Sequence, residues 1–279
     1  FSYDSTLDTS SLITEKYRIR QRHGPIGKGA RCVLPPPTET GAGKGAELSD
    51  PLEVLHWRSV AASPGLGAGD LHLWKLECGP RGPSLQTQWH LLSEGERSRA
   101  RRLRQAHHRE RYVRAHAGLR KVLSLYTNNA PHLHVFEYVS AGKPILANQQ
   151  SGLEFNMTTS DDMALVAVSF ECPVGIDCER IRPRADLLPI ARRMFTQAEA
   201  EQIASAPEER RLEIFYRSWT ALEADVKADG RGLSRRRNPT SVAASGIAHC
   251  FPAAGFIAAV ARACLPPVHR WQTLQLPRP

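Results

Sequence analysis

The sequence predicts an α/β (α+β) protein, in which helices and strands share the core. Residues 174–179 alternate apolar and polar side chains, the period of a strand with one face in a core. Residues 215–227 carry apolar side chains every three or four positions, which is typical of an amphipathic helix. The run 163–168 is apolar throughout and predicts a strand buried on both faces.

Length and composition indicate a soluble globular protein of one large domain or two ordinary ones. The chain has 279 residues, of which 41% are hydrophobic and 23% charged. No apolar stretch approaches the roughly 20 residues of a membrane span. The six cysteines lack the paired spacing of a zinc site, so we expect reduced thiols in a cytoplasmic protein. Residues 1–50 offer few core residues, and we expect them to form a flexible extension.

The net charge of +9 indicates an anionic partner. Nucleic acid, anionic lipid, a nucleotide cofactor and an acidic protein all fit this balance. On charge alone, nucleic-acid binding ranks first.

The first elements of the chain are a strand and two helices. The strand is predicted at 71–76, and Ser93 with Glu96 forms a capping box for the helix that follows. A second helix over 109–126 has one apolar face and arginines on its other faces, and the polar segment 127–131 ends it.

The pattern in the middle of the chain predicts β structure. A strand at 135–138 leads into the turn 142–144, and residues 153–155 enter a threonine-rich turn. The strands at 163–168 and 174–178 follow, joined by a short connection.

The C-terminal part alternates helices with late strands. We expect a helix over 185–195, a second helix capped by Thr196 and Glu199, and a long helix over 211–228 that ends near Gly230. Strands at 256–261 and 271–276 complete the chain.

Three carboxylates and a lysine converge if the strand at 174–178 faces the long helix. Asp177 and Glu179 share one strand face, and Glu223 shares a helix stripe with Lys227. Clustered carboxylate oxygens suit Mg²⁺, whose sites usually include substrate phosphates. On spacing alone, two solvated acids and an i,i+4 ion pair are the commoner interpretations.

Five short segments, in order, resemble the surfactin-type 4'-phosphopantetheinyl transferases. Residues 174–179 resemble the signature Gly-(Val/Ile)-Asp-x-Glu, and residues 219–233 resemble Trp-(Ser/Thr/Cys)-x-Lys-Glu-(Ala/Ser)-x-x-Lys-x-x-Gly-x-Gly-Leu. Residues 155–160 resemble Phe-Asn-Leu-Ser-His-Ser. Residues 142–144 resemble the family's Gly-Lys-Pro turn, and residues 193–196 its Arg-Phe-Phe-(Thr/Ser). The resemblance spans about residues 70 to 275.

The resemblance implies two similar α/β halves related by a pseudo-twofold axis. The halves would be residues 51–164 and 165–279, with the active site where they meet. It also implies a monomer that moves the 4'-phosphopantetheine group from coenzyme A to a serine hydroxyl of an acyl, peptidyl or polyketide carrier protein. The product would be 3',5'-ADP, and the cation Mg²⁺, with Mn²⁺ as the alternative. Carrier proteins are typically acidic, which agrees with the basic charge.

The resemblance also assigns residue roles. It makes Asp177, Glu179 and Glu223 metal ligands, and Glu223 and Lys227 catalytic. The residues implied in coenzyme A binding are Lys143, Asn156, Thr158, Thr159, Ser160, Arg114, His116 and Arg120.

Two positions depart from the signatures. Thr159 stands where histidine is usual and Leu222 where lysine is usual, so each position lacks a positive charge. The alternatives are therefore a coenzyme A- or carrier-binding pseudoenzyme, and a basic nucleic-acid-binding protein.

Overall fold

A computed structural model describes residues 52–139, 142–147, 152–230 and 246–277. The N-terminal extension expected over residues 1–50 lies outside the described residues. So do Arg231, Gly232 and Leu233, which close the second signature.

The described residues form eleven strands and six α-helices. The strands are β1 (Glu53–Val54), β2 (Arg58–Ser59), β3 (Leu71–Glu77), β4 (Phe136–Tyr138), β5 (Pro144–Leu146), β6 (Leu153–Ser160), β7 (Met163–Phe170), β8 (Val174–Arg180), β9 (Gly246–Phe251), β10 (Phe256–Arg262) and β11 (Gln272–Gln275). The helices are α1 (Leu85–Trp89), α2 (Glu94–Arg102), α3 (Ala106–Thr127), α4 (Leu187–Met194), α5 (Gln197–Ser205) and α6 (Glu208–Asp229). This mixture confirms the predicted α/β class.

The strands form two main sheets and a hairpin. The larger sheet has the order β2-β11-β3-β7-β6, with β11 parallel to β2 and β3 and the other pairs antiparallel. The smaller sheet has the order β1-β9-β10-β8, with only β1 and β9 parallel. β4 and β5 form the hairpin. β6 and β8 are therefore edge strands of different sheets.

The two sheets stack between helices and give four layers. Alternation along β3 sends Leu71 and Leu73 into the core between the sheets, and Trp74 and Leu76 into the core beneath α3. Val174, Ile176 and Cys178 enter the core between the sheets, as predicted. The opposite face of the smaller sheet packs on α6, partly through alanines of β10 and α6.

Local signals account for the helix ends. Ser93 and Thr196 both form complete capping boxes, with Glu96 and Glu199 respectively, and this confirms both predictions. Asn128 (φ 56°) and Gly230 (φ 68°) take the left-handed conformation that ends α3 and α6.

The predicted threonine-rich turn is wrong. Residues 156–160 continue strand β6, paired with β7 along its whole length, and the turn lies at Asp161 (φ 48°) and Asp162. The strand was predicted to end too early because residues 156–160 are polar. Threonine is β-branched and packs well on the pleated surface of a strand, so the strand continues through these residues. The short strands β1 and β2, helix α1 and strand β9 were not predicted.

The division into halves at residue 165 falls inside strand β7. The last strand, β11, also returns to pair with β3 in the larger sheet. Its Leu274 is fully buried beneath α3. The chain end therefore completes a sheet built mainly from residues before 171.

No helix among the described residues is both long and apolar enough to cross a membrane. Within the same ranges, Cys78, Cys172, Cys178, Cys250 and Cys264 are free thiols. Burial, with the charges of Asp177 and Glu179, raises the pKa of the Cys178 thiol, in keeping with its predicted place in the core.

Candidate active site

The edges of the two sheets meet where β6 crosses β8. Backbone amides of β8 donate to side chains of β6: Ile176 N to Asn156 Oδ1 at 3.0 Å, and Arg180 N to Ser160 Oγ at 3.0 Å. Asp177 lies between these two contacts. The junction therefore holds the acidic segment from both sides.

Asp177 is a buried acid and does not face the solvent. It is 1% exposed and lies in the middle of β8, on the face that packs against α6. Its Oδ1 accepts from Thr158 Oγ1 at 3.0 Å and from Lys227 Nζ at 2.5 Å. Its Oδ2 is buried and has no hydrogen-bond partner among the described residues.

Helix α6 supplies the other charged groups. Its apolar stripe of Phe215, Trp219, Leu222 and Val226 enters a core with α4 and α5, as predicted. Its polar stripe faces β8, where Lys227 Nζ lies 3.8 Å from Glu223 Oε2 as well as beside Asp177. The structure thus brings Asp177, Glu223 and Lys227 together.

Gly175 sets the distance between β8 and α6. A Cβ atom at this position would lie 2.0 Å from the carbonyl oxygen of Ala224 and 2.4 Å from the amide nitrogen of Ala228. Only glycine permits this approach of strand to helix backbone. Gly175 belongs to the signature at 174–179, but its role in packing was not predicted, although a glycine inside a strand often marks a close approach of another backbone.

Glu179 lies two residues beyond Asp177 on the same strand face and is half-buried. Burial raises the pKa of Tyr216 on α6, and the charge of Glu179 raises it further, so the two groups are neighbours. Glu179 therefore also faces α6.

The donor set partly fits a divalent cation. Among the described residues, no three His, Cys, Asp or Glu side chains are arranged as a metal site. The Lys227 ammonium lies between Asp177 and Glu223. The unpartnered Asp177 Oδ2 is nevertheless a buried anionic oxygen of the kind that a hard cation binds. Asp177, Glu179 and Glu223 are the residues that would hold it.

Lys143 lies inside the protein beside this site. Gly142 (φ 80°) makes the predicted turn, and the Lys143 ammonium donates to the carbonyls of Val174 at 3.2 Å and Ala228 at 2.6 Å. Glu154 Oε2 lies 3.8 Å from it. Burial lowers the pKa of Lys143, and Glu154 opposes that shift. Lys143 thus ties β8 to the end of α6, and its contact with coenzyme A stays a prediction.

The hydroxyls of residues 158–160 do not point the same way. Thr158 and Ser160 are buried and face β8, whereas Thr159 is exposed on the other face of β6. Side chains alternate between the two faces of a strand. The three hydroxyls of residues 158–160 therefore do not form one binding surface on β6.

The basic residues of α3 have internal partners. Arg120 is buried and binds Glu96 and the carbonyls of Pro131 and His134. Arg114 is buried and binds Glu110 and the carbonyls of Cys78 and Pro83, and His116 lies 3.3 Å from Glu96. Arg114 and Arg120 therefore do not form part of a solvated helix face. Coenzyme A binding by these three residues stays a prediction.

Two other signature positions serve packing. Leu222 is 2% exposed within the core of α4, α5 and α6, away from Asp177. Phe195 packs on Phe215 and Trp219. Leucine at 222 therefore adds apolar contact on the side of α6 that does not carry the acids.

Comparison with known proteins agrees with this geometry. The model of the 4'-phosphopantetheinyl transferase superfamily matches residues 173–268, which include β8 and α6. The 4'-phosphopantetheinyl transferase HetI of Nostoc sp. is 38% identical over 168 residues, 60% of this chain and 71% of HetI. This chain belongs to the 4'-phosphopantetheinyl transferase superfamily.

Other relatives match shorter parts of the transferase. The protein slr0495 of Synechocystis sp. is 32% identical over 145 residues, 52% of this chain and 59% of the relative. The 4'-phosphopantetheinyl transferase psf-1 of Bacillus pumilus is 38% identical over 100 residues, 36% of this chain and 41% of psf-1. The superfamily is thereby confirmed, and the surfactin-type subdivision stays a prediction.

Proposed function

We propose that this transferase moves the 4'-phosphopantetheine group from coenzyme A to the serine hydroxyl of an acyl, peptidyl or polyketide carrier protein. In this reaction the serine oxygen forms a bond to the β-phosphorus of coenzyme A, and the bond from that phosphorus to the departing 3',5'-ADP breaks. The observation that supports the proposal is the group formed by Asp177, Glu223 and Lys227. Within the part of the chain that the structure describes, Asp177 Oδ2 is buried and has no hydrogen-bond partner.

Each charged group has a role in this proposal. Glu223 accepts the serine proton, directly or through water. Lys227 donates to a phosphate oxygen as negative charge builds on the leaving group. Asp177 and Glu179, with Glu223, would hold Mg²⁺ or Mn²⁺, which neutralises charge on the diphosphate when bound. The nucleophile belongs to the carrier protein, so no activated serine or cysteine is needed in this chain.

The direct test is transfer to an apo carrier protein. The assay incubates the protein with coenzyme A, Mg²⁺ and the apo carrier protein. The mass of the carrier is then measured by intact mass spectrometry. We expect the carrier to gain one phosphopantetheine group, and the gain to stop with a chelator. An unmodified carrier, beside one modified by an authentic transferase, contradicts the proposal. Coenzyme A binding without transfer would point to the pseudoenzyme.

The nucleic-acid alternative rests on arginines of which several have acidic partners. Its motivation was the arginines of α2 and α3, yet Arg97 and Arg101 pair with Glu94, and Arg111 with Asp162. Together with the buried Arg114 and Arg120, these pairs reduce the charge available to phosphates. DNA or RNA binding that persists at moderate salt would revive this alternative.

A further inference from the structure

A row of three polar side chains on β6 is directed at β8. Asn156, Thr158 and Ser160 occupy every second position, and all three are buried. Asn156 and Ser160 bind backbone amides of β8, whereas Thr158 binds the side chain of Asp177. Because β6 and β8 belong to different sheets, these side chains supply the polar contacts that set one strand against the other.

The Thr158 hydroxyl determines which oxygen of Asp177 is available. It donates to Oδ1, which also accepts from Lys227, while Oδ2 receives no hydrogen bond from any residue in the described ranges. Two donors that converge on Oδ1 favour one orientation of the carboxylate, with Oδ2 turned away from both donors. A hydroxyl also has a single proton to donate, so Thr158 has none left for a phosphate of coenzyme A.

We propose that Thr158 is a positioning residue, whose hydroxyl orients the Asp177 carboxylate and leaves Oδ2 available to a divalent cation. Asn156 and Ser160 hold the backbone of β8 on either side. The inference rests on the proposed function, since it concerns the cation of that reaction. It replaces the role in coenzyme A binding that the signature suggested for Thr158.

The three possible roles of Thr158 predict different changes. A positioning residue affects the affinity for the cation and leaves the KM for coenzyme A at saturating Mg²⁺ unchanged. A phosphate donor affects that KM and leaves cation affinity unchanged. A residue that serves only packing affects stability and neither constant.

The test compares Thr158→Val, which deletes the hydroxyl at nearly constant shape, with Thr158→Ser, which keeps it. Mn²⁺ binding in the presence of coenzyme A is measured from the electron paramagnetic resonance of free Mn²⁺, without a carrier protein. We expect Thr158→Val to weaken Mn²⁺ binding about 10- to 100-fold, the usual effect of losing a partner that orients a ligand. Transfer should then need a higher Mg²⁺ concentration, and Thr158→Ser should restore both properties.

Controls make the outcomes decisive. Thr273→Val removes a strand hydroxyl that donates to His56 far from the site, and it should change neither constant. Thr158→Ala repeats the deletion if the valine variant does not fold. Mn²⁺ affinity within about twofold of wild type, a raised KM for coenzyme A alone, or failure of serine to rescue would each overturn the positioning role. If wild-type protein neither binds Mn²⁺ nor modifies a carrier, the proposed function itself fails.

Discussion

At the scale of single residues, Asp177 has a proposed role in the chemistry and an observed role in packing. The alternation of its strand predicted that Asp177 points away from the core, and a solvated acid was the commoner interpretation on spacing alone. The structure buries it against Lys227, so removing its charge affects the fold as well as the reaction. Predictions for this residue therefore need separate measurements of stability and activity.

We expect Asp177→Asn to reduce transfer by more than the roughly 10–100-fold typical of residues that only orient a ligand. We also expect it to lower the free energy of unfolding by about 2 kcal/mol. That is less than the roughly 3–5 kcal/mol of a fully enclosed pair, because Lys227 is 14% exposed and keeps Glu223 nearby. Urea denaturation and intact mass spectrometry measure the two effects.

A double variant separates the two effects. Asp177→Asn with Lys227→Met removes both charges, so part of the lost stability should return while transfer stays absent. Glu201→Gln, which removes an exposed carboxylate on α5, is the control and should change neither property. Full activity in the folded fraction of Asp177→Asn would refute the ligand role.

At the scale of elements, the site depends on how closely β8 approaches α6. Gly175 allows that approach, and Lys143 ties the same two elements together through the carbonyls of Val174 and Ala228. The acids of β8 and the charged stripe of α6 meet because these backbones nearly touch.

We expect Gly175→Ala to separate β8 from α6 and to destabilise the protein by about 1–3 kcal/mol, the usual range for overpacking. Transfer should fall with it, because Asp177 and Lys227 lie on the two separated elements. Thermal unfolding and the transfer assay measure both changes.

Gly95→Ala is the matched control for this substitution. Gly95 lies in exposed helix α2, where an added Cβ meets only Ser93 Oγ at 3.9 Å, and alanine favours a helix. It should cause no loss of stability. Equal stability and activity of the two variants would show that the approach at Gly175 is unimportant.

At the scale of the whole molecule, buried ionisable groups set the stability in acid. Burial lowers the pKa of His72 to about 4, against an opposing effect of Asp70. Burial by itself would raise the pKa of Glu96, but His116, the Ser93 backbone and Arg120 hold it at about 2. The two groups therefore weaken the fold in different pH ranges.

The direction in which stability changes with pH follows from which state, folded or unfolded, binds the proton first. Between pH 6.5 and 4 the unfolded chain protonates His72 while the fold excludes that proton, so stability falls as pH falls. Between pH 4.5 and 2 the unfolded chain protonates Glu96 first, and its stabilising contacts are lost as the folded pKa is approached. We expect urea denaturation to show both losses.

His72→Gln should reduce the loss in the upper range and leave the lower range unchanged. Part of the upper loss should remain, because burial also lowers the pKa of His134 and of His249. His107→Gln, at an exposed position on α3, is the control and should leave the wild-type slope. An unchanged slope between pH 6.5 and 4 in His72→Gln would show that His72 does not cause the upper loss.

The sequence alone was sufficient for the features that depend on neighbours along the chain. The alternation of β8, the two stripes of α6, both capping boxes and the superfamily follow from periods and short signatures. These periods are set by the local geometry of the backbone, so they can be recognised without knowledge of the tertiary contacts. They placed Asp177, Glu223 and Lys227 as candidates that the structure brings together.

Only the tertiary structure decided what those side chains touch. The crossing of β6 over β8, the burial of Lys143, Arg114 and Arg120, and the two unequal oxygens of Asp177 all join residues distant in sequence. The period of a strand predicts which side chains share a face. It does not predict which strand or helix contacts that face across the edge of the sheet. The partner is chosen by how two sheets stack, which depends on the packing of the whole core.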